Sequence, residues 1–180
     1  MTTLERAPTR EVRTPVMESD RWNGFAIRPD DIVIATYPKC GTTWTQRIVS
    51  LLIFQSTAPR QIIATSPWID CRFQIPIDVA VQMLEAQTHR RAVKSHLPFD
   101  ALPIYDDMRY IHVARDGRDA CMSFHNHVRG FTPEAQMKIG TIIMSDPVLA
   151  PLMGGGPPPQ TPEDPQVFFQ TWIAEAEGQW

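Results

Sequence analysis

One stretch decides the fold: residues 31–44, which read Asp-Ile-Val-Ile-Ala-Thr-Tyr-Pro-Lys-Cys-Gly-Thr-Thr-Trp. The apolar run that ends at Thr36 is typical of a buried parallel strand, and a helical pattern begins at Thr42 and ends near Phe54. Between them Gly41 permits a tight turn, and the free N–H groups at the start of the helix point towards whatever anion lies there. The sequence therefore predicts a strand–loop–helix unit with a phosphate-binding turn.

The side chains of this turn add further donors. Thr42 and Thr43 contribute hydroxyl groups, and Lys39 contributes a mobile positive charge. A Walker A loop requires its lysine after the last glycine, whereas Lys39 precedes Gly41, so the metal and triphosphate site of a kinase is not indicated. These residues alone leave an alternative open, in which Lys39 and Thr42 belong to an ordinary solvated turn and helix cap and bind no ligand.

Two helical patterns carry a recognisable apolar face. Residues 42–54 carry four large apolar side chains at helical spacing, namely Trp44, Ile48, Leu51 and Leu52. Residues 78–87 form the second pattern, in which Asp78 is the expected N-cap and three apolar side chains share one face, namely Val79, Met83 and Leu84.

The rest of the chain alternates strand and helix patterns. We expect strands at residues 91–95 and 108–114, and helices at 119–128, 133–145 and 166–177. This alternation implies right-handed crossovers and a parallel sheet. The expected fold class is α/β, a P-loop-like three-layer fold in which helices flank a central parallel sheet.

The expected organisation has three parts. Residues 1–30 show poor periodicity and are expected to form a loosely held N-terminal arm. Residues 31–180 form the domain, and residues 151–165, rich in proline and glycine, form an irregular loop or lid within it.

Composition and net charge limit the classes of function that the chain can have. A chain of 180 residues with 43% apolar and 21% charged residues supports one domain with a real core. The net charge of −3 gives no general electrostatic case for nucleic acid or an anionic membrane. Any anion site must therefore be made locally.

The cysteines and the apolar runs bear on the compartment. The three cysteines, Cys40, Cys71 and Cys121, show no C-x-x-C spacing, which argues against a disulfide framework and a zinc site. No secretory signal is visible at the N-terminus, and no apolar run approaches the ~20 residues that a membrane span needs. A cytoplasmic protein is expected.

Basic residues follow the other two predicted strands. Lys94 and His96 come at the end of the second strand, and ligands of an open α/β sheet collect beyond the carboxyl ends of its strands. Histidine is the side chain best suited to removing a proton near neutral pH, although a lone histidine is more often structural. Arg115 follows the third strand and can approach a phosphate with its two-pronged guanidinium, or can instead pair with Asp116 or Asp119 on the surface.

These segments resemble one family. The octapeptide 37–44 is similar to the 5′-phosphosulfate loop of soluble sulfotransferases, which use 3′-phosphoadenosine 5′-phosphosulfate (PAPS), with Cys40 where the family more often has serine. Residues 93–98 resemble the family's Lys-Thr-His-Leu-Pro, with Ser95 in place of threonine. Arg115 and Ser123 match the pair that binds the 3′-phosphate. Residues 116–118, Asp-Gly-Arg, differ from the Asn-Pro-Lys of animal members and suggest a bacterial-like branch.

The resemblance implies roles for particular residues. His96 is the expected catalytic base, with Lys39 at the bridging oxygen and Lys94 steadying the transferring group. The expected binding residues for PAPS, which acts as co-substrate without a metal, are Lys39, Cys40, Gly41, Thr42, Thr43, Trp44, Arg115 and Ser123. Trp44 is expected to stack on the adenine, although core packing is the more common fate of such a residue.

The expected reaction moves a sulfuryl group to a hydroxyl or amine of a small apolar or phenolic acceptor. Residues 68–73, Phe124 and Phe131 are candidate walls of the acceptor pocket. His125 and His127 lack a third ligand at metal spacing and are expected to be solvated or packed.

Two alternatives remain. Family members are usually longer, so the chain is expected to be C-terminally truncated, and it could be a non-catalytic nucleotide-binding remnant. A P-loop small-molecule kinase is the other alternative, disfavoured by the order of the loop residues. The oligomeric state is open, with a homodimer as one option.

Overall fold

A computed structural model describes residues 2–152 and 160–179. Its strands, in chain order, are β1 (Leu4–Arg6), β2 (Ile32–Thr36), β3 (Ala92–Ser95), β4 (Ile104–Tyr105) and β5 (Arg109–Val113). Its helices are α1 (Thr42–Phe54), α2 (Ile62–Thr65), α3 (Ile77–Glu85), α4 (Gly117–Arg129), α5 (Pro133–Ser145), α6 (Leu149–Leu152) and α7 (Pro165–Gln179). Short 3₁₀ turns lie at Ser19–Gly24 and Phe99–Ala101.

The central sheet is parallel and has the strand order β3-β2-β5. Ile32 lies opposite Ala92 on one side and Arg109 on the other, so the three strands begin at the same edge of the sheet. Every residue of β2 is buried, as expected for the middle strand of a sheet that is covered on both faces. The predicted α/β class and parallel sheet are confirmed.

This pairing brings three loops together. Because parallel strands end at the same edge, the segments that follow β2, β3 and β5 all emerge beside one another. Lys39, His96 and Arg115 each lie in one of these segments. The sheet thus places the basic residues of the predicted site at a single crevice.

The predicted apolar face of α1 is wrong, and the predicted face of α3 is right only in part, at Leu84. In α1 the four apolar residues of the pattern are exposed, namely Trp44, Ile48, Leu51 and Leu52. The helix instead packs Val49 against Ile32 and Ile34 of the sheet and buries Gln46, whose amide donates to the Ser66 carbonyl at 2.9 Å. A polar side chain can be buried there because its hydrogen bond is made within the protein.

The N-cap of α3 lies two residues earlier than predicted. Pro76, not Asp78, is the N-cap, and the Ala80 amide donates to the Pro76 carbonyl at 3.0 Å. Asp78 lies in the first turn, where the negative charge of a carboxylate interacts favourably with the helix dipole. Ala80 and Leu84 are the buried residues, while Val79 is exposed.

The N-terminal residues are not a loose arm. Val12, Met17, Trp22 and Phe25 are buried in the main hydrophobic core. Their contacts are with residues far along the chain, so local periodicity does not reveal them. The expectation of a loosely held segment is therefore wrong.

A shared carboxylate also fastens the N-terminal segment. Asp146, after α5, accepts hydrogen bonds from Arg13 at 3.0 Å and from Arg72 at 2.6 Å. Burial by itself would raise the pKa of Asp146, but these bonds and those from the Val148 and Leu149 amides hold it well below its usual range.

A buried ion pair joins the amino ends of β2 and β3. The Arg91 guanidinium donates to both oxygens of Asp31, and the two side chains are only 1% and 2% exposed. Arg91 also donates to the Ala26 carbonyl at 2.8 Å, and the Arg28 amide donates to Asp31 at 2.8 Å. The pair therefore ties the N-terminal segment to the sheet.

One of the expectations falls partly outside the described residues. The centre of the proline- and glycine-rich loop, residues 153–159, lies there. The last described helix, α7, packs on α4, with the Trp172 ring 3.8 Å from the position of a Cβ on Gly117. The Trp172 indole N–H donates to the Tyr37 hydroxyl of the phosphate loop.

We predict that Asp31→Asn lowers the free energy of unfolding by about 3–5 kcal/mol, because Arg91 is left as an uncompensated buried charge. Urea unfolding followed by circular dichroism measures this. Asp30→Asn is the matched control, because Asp30 is 64% exposed and its ion pairs with Arg90 and Arg109 are 3.7 and 3.8 Å long. Equal losses in the two variants would contradict the role of the buried pair.

Candidate functional site

The loop after β2 is built around two left-handed residues. Lys39 has φ of 70° and Gly41 has φ of 94°, and Gly41 is the N-cap of α1. Within the described residues no side chain caps this end of the helix, so the first amides of α1 keep their N–H groups available. A positive φ at the non-glycine Lys39 is uncommon and often marks a functional turn.

The threonines of the loop have different surroundings. The Thr42 hydroxyl is buried and hydrogen-bonds to the Thr36 hydroxyl, so it joins the helix to the strand. Thr43 is exposed and lines the cleft beside the loop. Cys40 is buried, and burial raises the pKa of its thiol, against the opposing effect of the Arg115 backbone N–H.

A cleft of about 1600 Å³ opens beside this loop. All of the predicted site residues line it, namely Lys39, Cys40, Gly41, Thr42, Thr43, Trp44, Lys94, His96, Arg115 and Ser123. The structure thus brings together residues that are separated by up to 84 positions in the sequence (123 − 39). Their roles remain predictions.

His96 is buried, and its ring is held by a hydrogen bond. Its Nδ1 lies 2.7 Å from the Thr36 carbonyl oxygen, and since a carbonyl can only accept, Nδ1 carries the proton. In the neutral ring Nε2 therefore keeps the lone pair. No hydrogen bond to Nε2 comes from the described part of the chain, so this nitrogen is the one available as a base.

Burial and neighbouring charge control the protonation of His96 and Lys94. Burial, followed by the charge of Lys94, lowers the pKa of His96 to about 3. Burial also lowers the pKa of Lys94 to about 8, while the Asp70 charge opposes that shift. His96 is consequently neutral at physiological pH, the state a general base requires.

Two residues from the segment before α3 contact this pair. The Trp68 ring lies 3.9 Å from Lys94 Nζ and meets the His96 ring edge-on, with centroids 4.7 Å apart. The Asp70 carboxylate accepts a hydrogen bond from the His96 backbone amide at 3.0 Å. The Phe73 ring meets the Trp68 ring edge-on, with centroids 6.0 Å apart.

Arg115 contacts both the loop and its own helix. One guanidinium nitrogen donates to the Lys39 carbonyl at 3.3 Å, and another lies 3.6 Å from Asp119. The surface pair that the sequence left open is therefore formed while Arg115 also lines the cleft. Trp44 is 77% exposed, so core packing is not its role.

Residues 29–176 match the family model described as Sulfotransferase domain. The chain belongs to the sulfotransferase family. The resemblance inferred from the three short motifs is thereby confirmed.

Named relatives agree with this assignment. The chain is 43% identical over 112 residues to "Glycolipid sulfotransferase" of Mycobacterium tuberculosis (strain ATCC 25177 / H37Ra), which covers 62% of this chain and 34% of that protein. It is 34% identical over 113 residues to human "Sulfotransferase 1E1", covering 59% of this chain and 38% of that protein. The matched part is thus little more than a third of these relatives' length.

A solved structure supports the fold. The chain superposes on mouse sulfotransferase SULT7A1, solved in complex with PAP, with a TM-score of 0.55 at 20% identity. The match covers 86% of this chain and 44% of that chain. At this identity the likeness establishes the three-layer sulfotransferase fold.

Sequence reasoning missed several parts of the cleft, and the first is an N-terminal turn. Residues 13–17 line it, because the turn in which Thr14 and Met17 hydrogen-bond to each other folds over the site. The signal available was the Thr-Pro turn between Val12 and Met17, both apolar.

Another part of the cleft that sequence reasoning missed is His127. It lines the cleft and meets Phe131 edge-on, and burial together with the charges of Lys39 and Lys94 lowers its pKa. Its neighbour His125 is packed as expected, with Nε2 donating to the Pro162 carbonyl at 2.8 Å.

Across residues 2–152 and 160–179, no group of three or more histidine, cysteine, aspartate or glutamate side chains could hold a metal ion. In the same ranges, no helix combines the length and apolar character that crossing a bilayer requires.

We predict a pH-dependent stability that originates at His96. The unfolded chain takes up a proton near pH 6.5, but the folded chain does so only near pH 3. Between these values the unfolded state binds more protons, so the free energy of unfolding falls as pH falls, by up to about 1.4 kcal/mol per pH unit from this group.

His96→Asn tests this, because asparagine lacks the titrating ring but can still donate to the Thr36 carbonyl. Urea unfolding at several pH values below neutrality should show a shallower loss of stability in the variant. If the free energy of unfolding depends on pH equally in the two proteins, the pKa of His96 is not lowered by folding and the prediction is wrong.

Proposed function

We propose that this chain carries the PAPS site and the catalytic base of a sulfotransferase that moves a sulfuryl group from PAPS to a hydroxyl or amine of a small apolar acceptor. The observation that carries the proposal is the arrangement of His96. Its Nδ1 is fixed on the Thr36 carbonyl, which leaves the lone pair of Nε2 available, in the cleft that also contains the uncapped amides of α1. Because the match covers little more than a third of the relatives' length, the activity of the complete enzyme is part of this proposal.

The donors around the cleft fit the groups that PAPS presents. Lys39 and the first amides of α1 suit the 5′-phosphosulfate, and Arg115 with Ser123 suits the 3′-phosphate. Gly41 leaves the space above the turn open, since nothing lies within 4 Å of a Cβ built there. The exposed ring of Trp44 offers a face on which the adenine can stack.

PAPS supplies the sulfuryl group, and the chain supplies the proton transfer and the charge stabilisation. His96 accepts at Nε2 the proton that the acceptor hydroxyl loses as its oxygen bonds to sulfur. Lys39 stabilises the negative charge on the phosphate oxygen, which keeps the electron pair of the broken sulfur–oxygen bond. Lys94 steadies the charge on the group in transit. No metal is required by this set of donors.

The acceptor side of the cleft is largely apolar. Its walls include Met17, Trp68, Phe73, Phe131, Ile139 and Ile143. Such walls favour a phenol, an alcohol, a sterol or a lipid-like hydroxyl compound. A relative named a glycolipid sulfotransferase, 43% identical in the matched part, is consistent with the last class.

Location and assembly complete the proposal. A cytoplasmic location is supported by the zebrafish relative named "Cytosolic sulfotransferase 1", 33% identical over 118 residues. A homodimer stays open, and sedimentation velocity would test it. Nucleic acid is not among the proposed partners, in keeping with the net charge of −3.

We predict that the chain binds adenosine 3′,5′-bisphosphate without magnesium and that Arg115→Ala weakens binding roughly 10- to 100-fold, the loss expected for hydrogen bonds to a charged group. Isothermal titration calorimetry with and without magnesium measures this. Arg118→Ala is the matched control, because Arg118 is 82% exposed and pairs with Asp116. Magnesium-dependent binding would favour a kinase, and no binding by a folded chain would contradict the proposed site.

We also predict that His96→Ala abolishes transfer from radiolabelled PAPS to 2-naphthol while the affinity for adenosine 3′,5′-bisphosphate stays within about threefold. The substitution removes the base but no phosphate contact. Retained transfer in this variant would overturn the assignment of His96. Nucleotide binding without transfer in the wild-type chain would support the non-catalytic alternative.

A further inference from the structure

Asp70 is a buried carboxyl to which the mechanism above assigns no role. Its residue is 0% exposed, and burial raises its pKa against the opposing effect of hydrogen bonds from His96, Trp68 and Ser95. Burying a carboxyl is unfavourable unless its hydrogen bonds compensate. The contacts of Asp70 are therefore informative.

The segment that carries Asp70 runs beside β3. The Lys94 amide donates to the Pro67 carbonyl at 2.9 Å, and the Ile69 amide donates to the Lys94 carbonyl at 3.2 Å. Trp68 and Lys94 consequently form an isolated parallel bridge. This backbone pairing brings the side chains of residues 68 and 70 to the end of β3 at which Lys94 and His96 lie.

One oxygen of Asp70 binds two donors that belong to different parts of the site. Oδ2 accepts from the Trp68 indole nitrogen at 2.7 Å and from the His96 backbone amide at 3.0 Å. Both bonds are buried, where a donor that loses its acceptor is left unpaired at a high cost.

The Trp68 ring in turn contacts both basic side chains. Lys94 Nζ lies 3.9 Å from its centroid, a cation–π contact, and the His96 ring meets it edge-on at 82°. The position of the indole therefore affects the lysine and the histidine together. Asp70 fixes that position through the indole N–H.

We propose that Asp70 is a positioning residue that, through one carboxylate oxygen, holds the Trp68 indole and the His96 backbone and so sets the placement of Lys94 relative to His96. Its consequence for transfer rests on the proposed function. Its consequence for the geometry of Lys94 and His96 does not.

The alternative is that Asp70 only stabilises the fold. A matched control separates the two: Asp31→Asn is also a buried carboxylate-to-amide change, but it lies at the opposite ends of the strands. A merely structural loss should give the two variants the same phenotype. A positioning role should affect the site in Asp70→Asn alone.

The experiment compares Asp70→Asn, Trp68→Phe, their double variant and Asp31→Asn. In Asp70→Asn we expect kcat to fall at least 10-fold, with the acceptor KM and the affinity for adenosine 3′,5′-bisphosphate changed less than about threefold. Because Asp70 acts largely through the Trp68 N–H, the double variant should lose less than the product of the two single losses. An unchanged kcat, or the same loss in Asp31→Asn, would overturn the proposal.

A second readout does not need transfer. The nitrogen resonances of the His96 ring and the titration of ¹³C-methylated Lys94, followed by NMR, report the geometry directly. We expect both to change in Asp70→Asn, with Lys94 losing its proton at lower pH because a neighbouring negative charge is gone. If the wild-type chain transfers nothing, the proposed function fails while this readout still decides on Asp70. Resonances and titration identical to wild type would overturn the proposal.

Discussion

The site depends on one constraint, the parallel pairing of β2 between β3 and β5. Because Ile32 is in register with both Ala92 and Arg109, the three strands end together. The Thr36 carbonyl at the end of β2 is then within hydrogen-bond reach of His96, and the Lys39 carbonyl is within reach of Arg115. A shift of register by one residue would separate each pair and turn the side chains of the shifted strand to the opposite face.

Charged side chains are buried at both ends of the sheet, but they are stabilised in different ways. At the amino ends, Arg91 donates to both oxygens of Asp31 and to the Ala26 carbonyl, so the two charges hold this end of the sheet together. At the carboxyl ends, His96 and Asp70 are buried and Lys94 is half-buried, no ion pair neutralises them within the described residues, and burial moves their pKa values towards the uncharged forms. Groups held away from their preferred protonation state are typical of sites where protons move.

The sequence predicted what local pattern controls. The strand–loop–helix unit follows from an apolar run and a glycine, and the bounds of α1 and α5 agree with the helical patterns. The buried face of α1 did not follow, because spacing identifies an apolar stripe but not which stripe meets the sheet. Gln46 is buried because Ser66, 20 residues away, supplies its hydrogen bond. The burial of Val12 and the role of Asp70 likewise depend on contacts that only the fold creates.

Net charge predicts little about such a site. A chain with a charge of −3 has no general attraction for anions, yet Lys39, Lys94 and Arg115 all line one cleft. Burial lowers the effective dielectric around His96, and the fall in the pKa of this histidine caused in part by Lys94 is a direct sign of a positive field in the cleft. The field is positive where the uncapped amides of α1 point, so the preference for an anion results from register and helix direction. Composition records neither of these.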